Sequence, residues 1–411
     1  MQPRAEPPTA STRLGSGSSL GARQSSLRDA NLALVTRTVC ASQGPLSRAG
    51  VAVRTSMTRS TVSRLVDDLV AGGVLDELEP PAVAGPGRPA TPLVPGIGLA
   101  ALGLQVNATY LAARVIDLRG RVVVERIEYG DFVGCEPQPT LDRLAGLSRA
   151  ALGTVPTGTR LAGAGLALPG IVSTGTGRLL LAPNLGWSDV RPADVVNGAA
   201  TDGLPLRIDN EANLAARTVA EHAPGHPGSL TDFVYLSGEI GIGGAVVIDG
   251  ELMTGRHGWA GEIGHVCVDP GGPPCPCGST GCLEQFAGRR ALFSAAGMPP
   301  DASPPELAAR VAAGDPRAVD ALAGAARALA VVLGGVVNVL DIPAVVLGGH
   351  LGQITELLRG DLEHQLSSRV LSSRWAAPTL HAADQDVAPG ATGAALQELS
   401  AVVADPVGWL G

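Results

Sequence analysis

The sequence predicts an N-terminal winged helix-turn-helix domain, mainly α-helical, followed by a larger α/β body of two lobes. Two amphipathic helices with a short turn between them lie near the N-terminus, and strand patterns that end in glycine turns recur after residue 95. The charge changes at the same point. Residues 1–94 carry ten Arg and seven acidic residues, net +3, whereas residues 95–411 carry 20 Arg and 31 acidic residues, net −11. A basic head on an acidic body indicates two separate functions.

The composition is that of a soluble globular protein with two or three domains: 411 residues, 45% hydrophobic and 17% charged. Aromatic residues are few (4 Trp, 3 Tyr and 4 Phe) beside 55 Gly and 32 Pro, so the core is expected to consist of Ala, Val and Leu. No stretch looks long and apolar enough to cross a membrane, and no apolar signal peptide opens the chain. We therefore expect a cytoplasmic protein without a membrane partner.

Residues 1–25 are rich in Pro, Ser, Gly and Thr and have little to bury, so we expect a disordered tail. Helical periodicity begins at residue 26 with "SLRDANLALVTRTVCAS". The segments "LSRAGVAVRT" and "TRSTVSRLVDDLVAGG" then predict two further helices joined by three or four residues, the second of which ends at Gly72 and Gly73. This arrangement is the helix-turn-helix pattern.

The second of these helices places arginine and hydroxyl side chains on its exposed side, as expected for a helix that enters the major groove of DNA. Arg can donate two hydrogen bonds to guanine, and Ser and Thr hydroxyls reach base edges or phosphates. The candidate DNA-binding residues here are Ser47, Arg48, Thr58, Arg59, Ser60, Thr61, Ser63 and Arg64. The alternative is an ordinary amphipathic helix within a helical bundle.

The segment "VLDELEPPAVAGPGRPATPLVP" predicts a wing, because two short extended pieces flank a tip of Pro and Gly. Its Arg88 is suited to insertion into a narrow, A/T-rich minor groove. The alternative is a plain interdomain linker, and both interpretations can hold together. The predicted DNA-binding domain spans residues 26–94.

Residues 95–411 change to an α/β pattern. Three successive strands are expected from "LAALGLQVNATYLAARVIDLRGRVVVERIEYG", followed by a helix and a buried strand. The second half has the same alternation of strands and helices. The segment "TDFVYLSGEIGIGGAVVIDGELM" predicts a strand, a glycine-rich turn and another strand, and a long helix and a strand that ends at Gly348 and Gly349 follow. Two β-rich lobes with glycine turns at their strand ends indicate a cleft between them.

Residues 261–286 read "GEIGHVCVDPGGPPCPCGSTGCLEQF" and concentrate cysteine and histidine in a segment of turns. A disulfide framework is not expected, since six Cys in 411 residues is a low density. His265, Cys275, Cys277 and Cys282 offer one imidazole and three thiolates, a set that favours tetrahedral Zn²⁺. With all four positions filled by protein, one structural zinc per chain is expected. The alternative is a group of buried thiols near an unrelated histidine.

The motifs "GRHGWAGEIGHVCVDPGGPPCPCGSTGCLEQF", "LAPNLGW", "RIDNEANLAA", "GEIGIGGAVVIDGELMTG" and "IPAVVLGG" together resemble the ROK family. The resemblance runs over residues 96–411, and the cysteine motif is its most specific part. It implies an actin-like, hexokinase-like fold shared by sugar-responsive repressors and sugar kinases. Residues 26–94 resemble the winged helix of the repressor members, among which the bacterial xylose repressors are most similar through "DNEAN".

The resemblance also implies a sugar site braced by the zinc loop. His265 would bind zinc through one ring nitrogen and the sugar through the other, because coordination fixes the orientation of the ring. The implied sugar-binding residues are Asn184, Asn210, Glu211, Glu262, His265 and Glu284. Two alternatives remain open: Asn184 as a turn former and Asn210 as a helix cap.

The chain departs from the kinase pattern of the family at two places. Where the kinases carry Asp-x-Gly-Gly-Thr, this chain has "QVNAT", so side chains of Gln105 and Asn107 stand near the place of the phosphate. The catalytic Asp is replaced by Glu211, and a displaced carboxylate can reduce catalysis by about a hundredfold. The surviving "GEIGIGG" is weak support for nucleotide binding. We therefore expect no catalytic residues and no kinase activity.

These features together predict a sugar-responsive DNA-binding regulator, a repressor, whose operator affinity changes when a sugar binds the cleft. A homodimer or homotetramer on an inverted-repeat operator is expected, since one winged helix makes few contacts. The similarity to xylose repressors suggests a role in xylose metabolism. The alternatives are a ROK sugar kinase with a regulatory DNA-binding head and a zinc-braced DNA-binding scaffold that responds to no sugar.

Overall fold

The computed structural model describes residues 19–79 and 91–410. The tail expected over residues 1–25 lies mostly outside this part of the chain, and so does Arg88 at the predicted wing tip. Where the description begins, the first helix already starts at Ser19, within the segment predicted to be a disordered tail.

The N-terminal part consists of three helices and a small sheet. Two helices are joined by a turn of three residues, in which Ser56 adopts a left-handed conformation with φ 58°. The apolar face predicted for the second of these helices, comprising Val62, Leu65, Val66 and Leu69, is buried. The elements are α1 (Ser19–Cys40), β1 (Leu46–Ser47), α2 (Arg48–Thr55), α3 (Arg59–Ala71), β2 (Leu75–Glu77) and β3 (Pro92–Pro95), and the strand order in the antiparallel sheet is β1-β3-β2.

The first lobe begins with the three predicted strands, which pair antiparallel in sequence order. Two later strands join them in parallel, giving a five-stranded sheet of order β11-β7-β4-β5-β6. Its elements are β4 (Leu99–Val106), β5 (Tyr110–Asp117), β6 (Val122–Tyr129), α4 (Pro137–Leu152), β7 (Arg160–Leu168), β8 (Ile171–Ser173), β9 (Arg178–Ala182), β10 (Trp187–Val190), β11 (Leu206–Asn210), α5 (Glu211–Ala220), β12 (Glu221–Ala223) and β13 (His226–Pro227).

The second lobe repeats the plan with a sheet of order β16-β15-β14-β17-β18, against which helices pack through an apolar cluster. The repetition matches the two lobes expected from the sequence. Its elements are β14 (Phe233–Gly238), β15 (Ile242–Ile248), β16 (Glu251–Leu252), α6 (Glu284–Ala287), α7 (Arg289–Ala295), α8 (Pro304–Ala312), α9 (Pro316–Leu340), β17 (Ala344–Gly348), α10 (Gly349–Gln353), α11 (Thr355–Arg369) and β18 (Thr379–Ala382).

One of these helices corrects an expectation from the sequence. By length and composition α9 is long and apolar enough to cross a membrane, with 25 residues and a mean hydropathy of 1.8 over a window of 18 residues. Its buried residues, among them Leu322, Leu329 and Leu333, pack in the core of the second lobe. The helix therefore has the character of a core helix in a folded lobe, which passes the same test.

The last helix, α12 (Pro389–Ala404), leaves the second lobe and packs on the sheet of the first. Gly103 of β4 makes this close approach possible, because a Cβ there would stand 1.8 Å from the carbonyl oxygen of Ala391. The far end of α12 contributes Leu399, Val402 and Val403 to an apolar cluster that also holds residues of α1. The N-terminal part is therefore packed directly on the body.

Candidate functional site

A polar cavity lies between the two lobes and brings together residues far apart in the sequence. All six residues that the family resemblance implied for sugar binding line it: Asn184, Asn210, Glu211, Glu262, His265 and Glu284. The first lobe supplies the loop before β10 and the start of α5, and the second supplies the β14–β15 turn and the cysteine-rich loop. The sequence therefore located the cavity, and the roles of the individual residues follow from their contacts.

Glu284 and Asn184 approach each other across the β14–β15 turn. The space between them exists because residue 241 is glycine: a Cβ at Gly241 would stand 2.3 Å from Glu284 Oε2 and 2.8 Å from Asn184 Nδ2. Glu284 is 5% exposed, and its Oε1 accepts hydrogen bonds from Cys275 Sγ at 3.0 Å and Gln285 Nε2 at 3.3 Å. Within the described residues, neither Glu284 Oε2 nor the Asn184 side-chain amide has a hydrogen-bond partner, so both are available to a ligand.

Asn210 has the helix-cap role that the sequence left open as an alternative. Its Oδ1 accepts from the backbone N–H groups of Ala212 at 2.7 Å and Asn213 at 3.2 Å, at the start of α5. Its Nδ2 donates to the carbonyl oxygen of Gly170 at 2.8 Å. A side-chain amide has two N–H donors, so one remains for a ligand in the cavity.

Glu211 is held by two amides. Gln105 Nε2 and Asn107 Nδ2 both donate to its Oε2, each at 3.1 Å. Gln105 is fixed in turn, because its Oε1 accepts from the backbone N–H of Ala391 at 3.0 Å. Burial raises the pKa of Glu211, and the hydrogen bonds from Asn107 and Gln105 oppose that rise. The carboxylate is therefore a member of a fixed network and is poorly placed to act as a free base.

Glu239 is a cavity residue that sequence reasoning missed, although its place in "GEIGIGG" offered a signal. It lines both the polar cavity and a second cavity on the far side of the β14–β15 turn, where Asp384, Asp386 and Arg289 also lie. Burial, followed by the charge of Glu211, raises the pKa of Glu239 to about 8, and Arg289 opposes the rise. A carboxyl group with a pKa near 8 is mainly protonated at neutral pH.

This proton gives a prediction for the dependence of stability on pH. The pKa of Glu239 is about 8 in the folded protein, which is higher than the pKa of a glutamate in the unfolded chain. Because the unfolded chain loses this proton more readily, stability is lost as the pH rises from the pKa of the unfolded chain through the folded pKa. Glu239→Gln removes this titration, and we expect its melting temperature to fall less than that of the native protein between pH 6 and pH 9. Glu251→Gln, on an exposed strand position, is the control. If the melting temperatures of the native and Glu239→Gln proteins fall by the same amount between pH 6 and pH 9, the prediction is wrong.

The predicted zinc ligands converge. One ligand atom from each of His265, Cys275, Cys277 and Cys282 lies within 4.8 Å of the others. Cys277 Sγ and Cys282 Sγ are 3.7 Å apart, and Cys275 Sγ is 3.7 Å from His265 Nδ1. Tetrahedral zinc with ligand distances of about 2.3 Å separates its ligand atoms by about 3.8 Å, so the group fits the ion. Burial, followed by Glu284, raises the pKa of Cys275, an effect that a coordinated dication reverses.

The two ring nitrogens of His265 face different partners, and their predicted contacts with zinc and with a sugar stay predictions. Nδ1 is on the side of Cys275, whereas Nε2 is 3.9 Å from Glu262 Oε2, which lines the cavity. Burial raises the pKa of Glu262, His265 opposes this shift and Glu284 adds to it. A metal on Nδ1 would hold the ring with Nε2 toward the ligand site.

The residues predicted to contact DNA fall into two groups in the structure. Arg48 is occupied internally: it forms ion pairs with Asp67 at 2.6 Å and Glu77 at 2.8 Å and donates to the carbonyl oxygen of Ser63 at 3.0 Å. Ser47 caps α2 through Gly50 N–H. These contacts give both residues a structural role, and their predicted contact with DNA stays a prediction.

The second group lies at the exposed start of α3. Thr58 caps this helix by accepting from Thr61 N–H at 3.2 Å, and its hydroxyl also contacts those of Ser60 and Thr61. Arg59 and Arg64 are exposed and have no hydrogen bond or ion pair with any residue in the described ranges. Two unpaired guanidinium groups on one helix are available to an anionic partner.

The two sheets, the cleft between them and the Cys₃His cluster at its edge define an actin-like, hexokinase-like body. The chain belongs to the ROK family, whose profile matches residues 102–398, as the sequence motifs predicted. A putative xylose repressor from Caldicellulosiruptor sp. (strain Rt8B.4) is 32% identical over 270 residues, which cover 65% of this chain and 66% of that protein. This chain thus spans just under two thirds of that relative's length.

Further relatives include both regulators and kinases. The xylose repressor of Bacillus subtilis (strain 168) is 26% identical over 329 residues, covering 80% of this chain and 84% of that protein. The crystal structure of a ROK family transcriptional regulator, a homologue of the E. coli MLC protein, has a TM-score of 0.74 at 23% identity and covers 93% of this chain and 99% of its own. The crystal structure of a ROK family glucokinase from Streptomyces griseus, in complex with glucose and AMPPNP, has a TM-score of 0.61 at 26% identity. The match covers 72% of this chain and 98% of the glucokinase chain.

Proposed function

We propose that this protein is a sugar-responsive, DNA-binding transcriptional regulator, a repressor, whose affinity for its operator changes when a sugar binds the cleft. The observation that carries the proposal is the asymmetry of the cavity. On one side, Glu284 Oε2 and the Asn184 amide are unpaired within the described residues, and both residues line the cavity. On the other, Glu211 is bound by Gln105 and Asn107 at 3.1 Å.

The proposed effector is a sugar because the cavity offers carboxylates, amides and an imidazole in a small volume. Vicinal hydroxyls both donate and accept, and such groups satisfy them in pairs. The names of the xylose repressor relatives make a pentose or a related sugar the first effector to test. Zinc would support this site through His265, Cys275, Cys277 and Cys282, holding His265 and the loop that carries Glu262 and Glu284.

The N-terminal part is proposed to be a winged helix-turn-helix domain over residues 26–94, with the ROK body over 95–411. The support is the pair α2 and α3, the small β1-β3-β2 sheet whose strands flank this pair in the sequence, and the net charge of +3 in residues 1–94. Helix α3 would enter the major groove, and Arg88 would belong to the wing. We further propose a cytoplasmic homodimer or homotetramer on an inverted repeat, since specific binding needs two half-sites.

A sugar kinase with a regulatory head is the second candidate, favoured by the glucokinase neighbour. Two observations weigh against it. Asn107 occupies the turn after β4, with its Oδ1 accepting from Thr109 N and Oγ1 at 3.0 Å, where the kinases of the family carry glycine. Glu211, in the position of their catalytic Asp, is bound by two amides. Phosphorylated sugar accumulating at enzyme-like rates with ATP would contradict our proposal.

The DNA-binding role gives a prediction for α3. Duplexes selected from a random library by the full-length protein should bind the Arg59→Ala and Arg64→Ala variants at least about tenfold more weakly, because each variant removes a base or phosphate contact. Arg217→Ala, in α5 of the body, is the control and should bind as the native protein does. Unchanged affinity in both α3 variants, measured by fluorescence anisotropy at one salt concentration, would exclude α3 from the interface.

A further inference from the structure

A groove on the surface of the second lobe adjoins the polar cavity. The cavity itself is small, about 60 Å³, whereas the groove holds about 410 Å³. The two share four wall residues, Asn184, Ile240, Gly241 and Glu284, so they meet along one common wall. A ligand in the cavity that extends past this wall would enter the groove.

The junction between cavity and groove carries polar atoms that have no hydrogen-bond partner within the described residues. Glu284 is 5% exposed, and its Oε2 accepts no hydrogen bond there. The Asn184 amide faces the same point from the first lobe, 2.8 Å from where a Cβ of Gly241 would stand. Glu284 Oε2 is thus free to accept a hydrogen bond, and the Asn184 amide is free to donate one, to a ligand that reaches the groove.

The groove combines an apolar face with polar edges. Ala291 and Ala295 of α7 present small side chains, and Pro276 of the cysteine-rich loop lies beside them. Gln285 and the exposed Arg290 stand at the rim, and Arg290 makes no hydrogen bond or ion pair within the described ranges. A pyranose ring has the same division, with C–H groups on its faces and hydroxyls around its edge.

Resting on the proposed function, we propose that the effector is a disaccharide or longer glycoside, with its first unit in the polar cavity and its second in this groove. The glycosidic link lies at the junction beside Glu284 and Asn184. The second unit packs on Ala291 and Ala295, and its hydroxyls face Gln285 and Arg290. The first unit alone uses a fraction of the available surface, so a monosaccharide binds more weakly.

Calorimetric titration of the full-length protein with matched pairs tests this: d-xylose against xylobiose, and d-glucose against cellobiose and maltose. We expect one disaccharide to bind at least about tenfold more tightly than its monosaccharide. Ala295→Phe fills the groove with a ring, and should weaken that disaccharide at least about tenfold while leaving the monosaccharide within about twofold. Arg290→Ser should weaken the disaccharide severalfold. Ala309→Phe, at an exposed position of α8 away from the groove, is the matched control.

The outcomes separate this inference from the function on which it rests. Disaccharides that bind no better than monosaccharides, with affinities unchanged by Ala295→Phe, would overturn the extended effector and leave sugar sensing intact. A protein that binds its selected DNA but none of the saccharides would overturn both. A monosaccharide weakened by Ala295→Phe as strongly as the disaccharide would place the first unit in the groove and also overturn the inference.

Discussion

Cys282→Ser should deprive the protein of its zinc and lower its free energy of unfolding by at least ~3 kcal/mol, because loss of a structural metal is among the most destabilising single changes. Cys282 is fully buried and lies 3.7 Å from Cys277, so serine there leaves the remaining ligands without a fourth partner. The measurements are metal content by mass spectrometry and chemical denaturation of the protein purified without chelator. About one zinc per chain is expected for the native protein.

The chain provides a matched control for this experiment. Cys267 is exposed, pairs through its backbone with Cys282 in an isolated bridge, and is not among the four converging ligands. Cys267→Ser should therefore retain zinc and native stability. If the native protein carries no metal, or if the Cys282→Ser variant keeps it, the proposed zinc site is wrong. The proposal that zinc fixes the orientation of the His265 ring would then lose its basis.

Glu262→Gln should abolish the response of the protein to its sugar while leaving the affinity for DNA without sugar unchanged. The substitution keeps the shape of the side chain but removes a charged acceptor from the cavity, and charged hydrogen bonds contribute about 1.5–3 kcal/mol, or roughly 10- to 100-fold in affinity. Glu262 is preferable to Glu284 for this test, since Glu284 also contacts Cys275 of the metal cluster. Zinc content should stay at the native level.

Both readouts are needed to interpret this variant. Sugar binding is followed by titration and the change in DNA affinity by anisotropy, with Glu251→Gln as the exposed control on the same lobe. A Glu262→Gln protein whose DNA affinity still changes at the sugar concentration that acts on the native protein would show that the cavity does not hold the effector. Loss of DNA binding in the absence of sugar would instead indicate a defect in folding or assembly.

The six residues that the family resemblance implied for sugar binding line one cavity, and they could be named because each lies in a local motif that carries the resemblance. The spacing of His265 and the three cysteines gave the metal cluster, and the strands around "QVNAT" gave β4 and the turn that follows. The sequence does not show which side chains contact each other after the elements have packed together. The ion pairs of Arg48 with Asp67 and Glu77 join residues on three separate elements, and no local pattern shows that a side chain on an apparently exposed helix is already engaged.

The same limit explains Glu239 and α9. The pKa of Glu239 is raised first by burial and second by Glu211, which belongs to the other lobe, so the motif around Glu239 does not reveal the shift by itself. Helix α9 reads as membrane-spanning by composition because a core helix surrounded by other helices is apolar over much of its surface. The pKa of Glu239 and the burial of α9 both depend on contacts with residues that are distant in the sequence, so a short sequence segment does not reveal either of them.

The position of α12 has a consequence for how the protein is made. Its start is bound to β4 through the hydrogen bond from Ala391 to Gln105, across a sequence separation of 286 residues. Since chains emerge from the ribosome N-terminus first, Gln105 of β4 must wait for the synthesis of 286 further residues before Ala391 of the covering helix appears. Closing so long a loop adds an entropic cost and slows the step. The N-terminal part, which packs on α12, therefore reaches its final position on the body only after α12 has been made, whereas its own three helices lie close together in the sequence and can form earlier.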